Sequence, residues 1–185
     1  MDIDWNAHLV DQLDWHWQQH LRPRLNDLTD EEYFWEPVAG CWSVRRREAN
    51  ADTAVHGSGE YAIDFGWPEP SPPPVTTIAW RLGHIIVGIF GQRSAAHFDG
   101  PACDYDSHRY AGTAAEAVRQ LDEAYAIWVE GVRGLDDDGL PRPCGPTEGP
   151  FAAHPMAALV LHINRETIHH GAEILLLRDL YRNQG

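Results

Sequence analysis

Between Pro155 and Tyr181 the chain carries His162, Glu166, His169, His170 and Glu173 inside a stretch otherwise rich in Leu, Ile and Ala. Such polar groups are costly to bury unless they are paired or bind a metal. The direction in which each one faces therefore constrains the fold more than any other feature of the sequence. At about 100° per residue, Leu159, Ile163, Ile174, Leu177 and Tyr181 share one helical face. Glu166 and His170 fall on that same face, one turn apart, while His162, His169 and Glu173 lie towards its edge.

A Glu-x-x-x-His pair aimed into a core can clamp one metal ion. His162, Glu166 and His170 cannot all bind it, because they span about 12 Å along the axis and ligand atoms sit about 2 Å from their ion. A third ligand has to come from another element, and His84 is the candidate. It lies in Thr76–Phe90, a nearly all-apolar segment that follows a proline run and has Thr at the capping position. Alone, such a His reads as a core imidazole satisfied by one hydrogen bond. Beside Glu166 and His170 it completes a ligand set.

Two rival sets are weaker. His16 and His20 are also four apart, near the apolar face of the first helix, but no acidic residue accompanies them. Glu166-x-x-His169 has the spacing of di-iron carboxylate bundles, which need a second Glu-x-x-His; the sequence has none. His8, His56, His97, His108 and His154 are expected on loops or solvated faces.

The sequence reads as one domain, residues 1–185, with four substantial helices. The first runs from about Asp4 to Asp27, with Trp5, Leu9, Leu13 and Trp17 on one face and Pro23 positioned to kink it. Thr29-Asp30-Glu31-Glu32 is a capping-box signal for a short extra turn through Trp35. The His84 segment is the second. The third opens on Thr113-Ala114-Ala115-Glu116 and repeats Val118, Leu121, Tyr125, Trp128, Val132 and Leu135 as an a/d seam. The fourth carries the Glu–His pair. Four amphipathic helices imply an all-α four-helix bundle. The long connection between the first two holds extended candidates at Trp42–Arg45 and Tyr61–Phe65, a possible small β-hairpin, and ends in the polyproline-like Trp67–Pro74. A loop of this length is functional or covers a pocket, and Trp35, Trp42 and Trp67 are expected to wall that pocket.

Composition removes several classes. The 28 acidic residues against 14 basic ones, a net charge of −14, disfavour nucleic-acid binding. No apolar run is long enough to span a bilayer and the N-terminus is acidic, so neither membrane anchor nor signal peptide is indicated and a cytoplasmic protein is expected. Cys41, Cys103 and Cys144 are odd in number and widely spaced, which argues against a disulfide framework and a thiolate zinc site.

Four helices, a His in the second after a Trp-Ser segment, and an acid one turn before a His-His pair in the fourth resemble the DinB/YfiT-like superfamily. Its members include mycothiol-dependent maleylpyruvate isomerases and related thiol S-transferases. Many relatives use three His ligands; here the middle position is Glu166, similar to the His/Glu/His set of the isomerase branch, so the carry-over is His84, Glu166 and His170. The usual His-Arg-Gly-Gln ending is replaced by His170-Gly171-Ala172-Glu173. The chain is expected to lack the additional C-terminal domain of the isomerases, so the resemblance places no catalytic Arg.

The resemblance implies a divalent ion, zinc with nickel as the alternative, acting on a small-molecule substrate together with a low-molecular-weight thiol. Every basic residue is Arg and none is Lys, which points to a high-G+C genome and makes mycothiol the expected thiol. Three N/O ligands leave positions open, the catalytic pattern. Glu173 and His169 are candidates for support around the ligands. A metal-dependent hydrolase, or a non-catalytic stress-associated bundle, are the alternatives. A homodimer is also expected. Ala157, Leu161, Ile168 and Leu175 form a second apolar stripe on the fourth helix, flanked by Arg165 and Asp179 for pairing across a two-fold axis, unless the long connection covers it.

Overall fold

Asp4 accepts a hydrogen bond from the Ala7 amide and starts α1 (Trp5–His16), which widens into a π-type turn over Trp17–Leu21 before Pro23 ends it. Thr29 caps α2 (Asp30–Tyr33) and Thr77 caps α3 (Ile78–His84), each accepting from the amide three residues on. α3 runs through a second π-type stretch, Ile85–Gly91, into α4 (Gln92–His97). Thr113 caps α5 (Ala114–Arg133), and α6 is Met156–Arg182. The computed structural model describes residues 3–47, 55–66, 68, 70–136 and 138–184.

Side-chain contacts set the helix directions. Asn164 donates to the Leu9 carbonyl at 2.8 Å, and the α-carbon of Gly171 faces Leu21 and His16, so α1 and α6 run parallel. Asp14 meets Tyr125 and Arg133 while Arg22 meets Asp122, so α1 and α5 run antiparallel. Arg81 reaches Glu173 and His84, at the end of α3, reaches His170, which makes α3 antiparallel to α6. α1 and α6 thus run one way and α3 and α5 the other.

The seam on α5 is buried as expected at Val118, Leu121, Tyr125, Trp128 and Val132, and Trp17 stacks on Tyr125 at 3.8 Å. On α6 Leu159, Ile163 and Ile174 are buried. Trp5 departs from the expected face: it is 62% exposed, because α1 begins beyond the end of the core, and Leu13 is its first buried residue.

The chain is mostly helical, which roughly fits the all-α expectation, and where a small hairpin was expected there is a three-stranded antiparallel sheet. β1 (Val44–Arg46) and β2 (Val55–His56) flank β3 (Tyr61–Asp64). The sheet holds the start of α3. The Trp42 backbone N–H donates to the Val75 carbonyl and its carbonyl accepts from the Thr77 amide, and Trp80 Nε1 donates to the Asp64 carbonyl at 2.7 Å. Trp67 lies outside the described residues. No helix among the described residues is long and apolar enough to cross a membrane.

Candidate metal centre

His84 and His170 approach each other from α3 and α6, with ring centroids 4.9 Å apart and planes at 84°. His170 Nε2 lies 3.7 Å from Glu166 Oε2. That is too long for a hydrogen bond, but ligand atoms about 2 Å from a shared ion sit roughly 3–4 Å apart. The structure therefore places His170 beside His84 and beside Glu166; the triple whose ligand atoms all lie within 4.8 Å of one another, among the described residues, is instead His169, His170 and Glu173.

The remaining ring nitrogens are committed. His84 Nδ1 is 2.6 Å from the Tyr105 hydroxyl, and the missing side chain of Gly88 leaves the space that this hydroxyl fills. A Cβ on Gly88 would overlap it and sit 3.2 Å from His84 Nδ1. Burial, with His170 and Arg81 nearby, pushes the His84 imidazole down to about 3, so the ring is neutral. If Nδ1–H donates to the Tyr105 oxygen, Nε2 keeps its lone pair. Burial likewise pushes the His170 imidazole down, against the hydrogen bond from its own Nδ1 side to Glu173.

His170 Nδ1 lies 2.7 Å from Glu173 Oε2 and 3.1 Å from Arg81 Nη1. It cannot donate to one and accept from the other at once. Arg81 Nη1 also sits 3.1 Å from Glu173 Oε2, so the consistent arrangement has both Nδ1–H and Arg81 donating to the same carboxylate. A carboxylate on the outer nitrogen of a His is the usual support of a metal-binding imidazole, and it leaves Nε2 facing Glu166 and unprotonated.

A second grouping competes for the same ring. Ligand atoms of His169, His170 and Glu173 lie within 4.8 Å of one another, a His–His–Glu cluster on α6 alone. An ion there would use His170 Nδ1, where the Arg81 guanidinium already stands; one at His84 and Glu166 would use Nε2. His169 is 62% exposed, its Nε2 3.4 Å from Glu173 Oε1. The charge of Arg81 and this exposure make the Nδ1 side the poorer cation site.

Trp80 forms the wall behind the cluster. Its indole stacks on the His84 ring at 5.1 Å, and the Arg81 guanidinium carbon lies 5.4 Å from its centroid. Trp42 covers Trp80 at 6.0 Å, and Trp35 packs on Tyr181 at 5.6 Å, near the far end of α6. A separate cavity of about 1260 Å³, lined by residues including Phe34, Trp42, Arg45, Tyr61 and Asp64, does not include His84 or His170.

The other candidates settle into distinct roles. His162 and Glu166 Oε1 are both engaged by Arg165, at 2.6 and 3.1 Å. His16 and His20 stack their rings 5.8 Å apart at 27°, and Trp15 packs on His20. His97 is not on a solvated face: its side chain is 3% exposed and bonds Glu148 at 2.9 Å, because the segment around Pro146–Phe151 folds back over the end of α4. The sequence reading also missed Arg81 and Tyr105. Arg81 carried a signal, a single charge one turn before His84 in an apolar helix. Tyr105 carried none, since it reaches His84 from irregular chain.

Nothing among curated proteins or solved structures matches the chain. The family model of the DinB superfamily does, over residues 12–174. That span holds His84, Glu166 and His170, and the chain belongs to the DinB superfamily.

Proposed function

We propose that this is a mononuclear divalent-metal enzyme whose ion, zinc with nickel as the alternative, is held by His84, Glu166 and His170. It activates a low-molecular-weight thiol of the mycothiol type, in the cytoplasm, for transfer to or isomerisation of a small electrophile. The observation that carries this reading is the convergence of two imidazoles from different helices, with His170 Nε2 turned to Glu166 and both other nitrogens taken, by Tyr105 and Glu173. Two neutral imidazoles and one carboxylate suit zinc, and a site with three protein ligands keeps room for substrate. A bound divalent ion there supplies the acidity that deprotonates a coordinating thiol or water. The chain's own residues do the rest. Tyr105 fixes the His84 ring and Glu173 the His170 ring. Trp80 and Trp42 close the rear of the site. Arg165 holds one oxygen of Glu166 so that the other points at His170.

Metal-loaded protein should accelerate conjugation of mycothiol or a related thiol to an electrophile at neutral pH, and a chelator should remove the acceleration. A thiol panel giving no metal-dependent rate would overturn the reading. Ester or amide hydrolysis in its place would identify a hydrolase, and neither activity a non-catalytic bundle.

We also propose a homodimer, on a face shifted from the stripe expected above. Leu161 and Leu176 of α6 are 51% and 59% exposed, and Trp15 on the adjoining α1 is 58% exposed. Leu175 instead packs against the core, and Asp179 and Arg165 are engaged within the chain by Arg24 and Glu166. The long connection does not cover this face at Leu161. Light scattering should give the mass of two chains for the wild type and of one for Leu161→Glu. A monomeric wild type, or a Leu161→Glu variant that stays dimeric, contradicts this interface.

A further inference from the structure

Arg165 and Glu166 are neighbours on α6, and adjacent helix positions point about 100° apart and do not ordinarily meet. Here they do. Arg165 Nε and Nη2 each donate to Glu166 Oε1 at 3.1 Å, and Nη2 also donates to His162 Nδ1 at 2.6 Å. His162 and Glu166 share a face one turn apart, so the long arm of Arg165 is bent sideways onto that face by two acceptors. Both bonds to the carboxylate fall on the same oxygen. A carboxylate oxygen has about two lone-pair sites, and on Oε1 they are met from within the chain. Oε2 accepts no hydrogen bond among the described residues, and it is the oxygen 3.7 Å from His170 Nε2.

This asymmetry limits what Glu166 can offer an ion. A carboxylate with both oxygens free can bind through either or both, whereas one whose Oε1 is held by a guanidinium offers Oε2 alone. One oxygen and two imidazoles leave room for one further ligand, which suits a four-coordinate ion such as zinc. Manganese, magnesium and calcium seek more oxygen donors, and calcium takes carboxylates through one or both oxygens. The Arg165 side chain is 69% exposed, so water screens its charge and its part in folding is small. Its loss should leave the fold intact and fall on the carboxylate.

We propose that Arg165 is a positioning residue that keeps Glu166 a one-oxygen ligand, and thereby sets the ion preference of the site, zinc over the oxygen-seeking manganese. This rests on the metal reading above, with Glu166 as a ligand. The rival cluster of His169, His170 and Glu173 is not under the same control. Among the described residues Arg165 donates to His162 and Glu166 and to no member of that cluster.

Zinc and manganese are titrated separately into metal-free wild type, Arg165→Met, Arg165→Lys and Glu166→Ala, with an unfolding curve for each. Both ions carry two positive charges, so the lost charge of Arg165 cancels in the ratio of the two affinities, while a freed second oxygen does not. Arg165→Met should lower the zinc-to-manganese affinity ratio about 10-fold, the low end for a hydrogen bond to a charged group because this one is exposed. Arg165→Lys, a point donor in place of a fork, should recover only part of the change. Cobalt in place of zinc gives a second readout. The strong visible band of four-coordinate cobalt in wild type should weaken in Arg165→Met, as Glu166 takes a further position on the ion. An unchanged ratio or an unchanged band in Arg165→Met, with the ion lost in Glu166→Ala, overturns the proposal alone. Wild-type zinc affinity in Glu166→Ala, or a wild type that takes up no ion, overturns the metal reading and the proposal together.

Discussion

Glu32→Ala should lower the stability of the folded chain by about 3–5 kcal/mol, the cost of stripping one partner from a buried ion pair. Glu32 and Arg178 are each 1% exposed, and they meet as a fork: Arg178 Nε on one carboxylate oxygen at 2.6 Å and Nη2 on the other at 3.0 Å. The pair ties α2 to α6 across nearly the whole sequence. Without Glu32 the guanidinium keeps only Asp27, at 3.0 Å from Nη2, whose side chain is 69% exposed and therefore screened by water. Asp27→Ala should accordingly cost far less. Hydrogen bonds from Arg178 and Arg182 hold the Asp27 carboxyl below its ordinary range. Its contribution is thus present at neutral pH and fades as the pH falls through the carboxylate range. Denaturant unfolding measures the effect as a drop in midpoint at constant slope. Replacing both residues, as Glu32→Leu with Arg178→Met, should recover most of the loss, because apolar groups of similar volume need no partner. A Glu32→Ala loss under about 1 kcal/mol would mean that the pair is not closed as described.

What the sequence shows of this molecule follows from the range of each interaction. Periodicity is local, so the buried faces of α5 and α6 and the Thr29, Thr77 and Thr113 caps were readable from neighbours three and four residues away. The Glu166–His170 relation is equally local. His84 needed one step more, that a carboxylate and an imidazole on an inward face require a third donor. Contacts made by irregular chain left no such trace. Tyr105 reaches His84 only because the chain after α4 turns back, and Glu148 finds His97 the same way. β2 is two residues long, too short for alternation to register, and it turned an expected hairpin into a sheet. Glu32 was visible as part of a capping box, and Thr29 does accept its amide hydrogen bond. The carboxylate itself goes to Arg178, which lies 146 residues away. Two uses of one side chain, one local and one distant, cannot be separated by spacing.

The ring of His170 holds the central question, because its two nitrogens serve two exclusive ligand sets. Nε2 faces Glu166 and the His84 side; Nδ1 faces Glu173, with His169 beside it. An ion on Nε2 keeps the Glu173 hydrogen bond and stays clear of Arg81, whereas an ion on Nδ1 breaks that bond and meets the guanidinium 3.1 Å away. Removing a true ligand should therefore cost more than the roughly 10- to 100-fold in affinity that loss of an outer supporting group costs. Removing His169 should cost at most that much. The deciding measurement is an equilibrium zinc titration of wild type, His84→Ala, Glu166→Ala and His169→Ala, with unfolding curves to show that each variant is folded. One ion per chain for wild type, binding lost in His84→Ala and Glu166→Ala, and binding kept in His169→Ala is the predicted result. Binding kept without His84 or Glu166, and lost without His169, would place the ion on the other nitrogen of His170 and contradict the account.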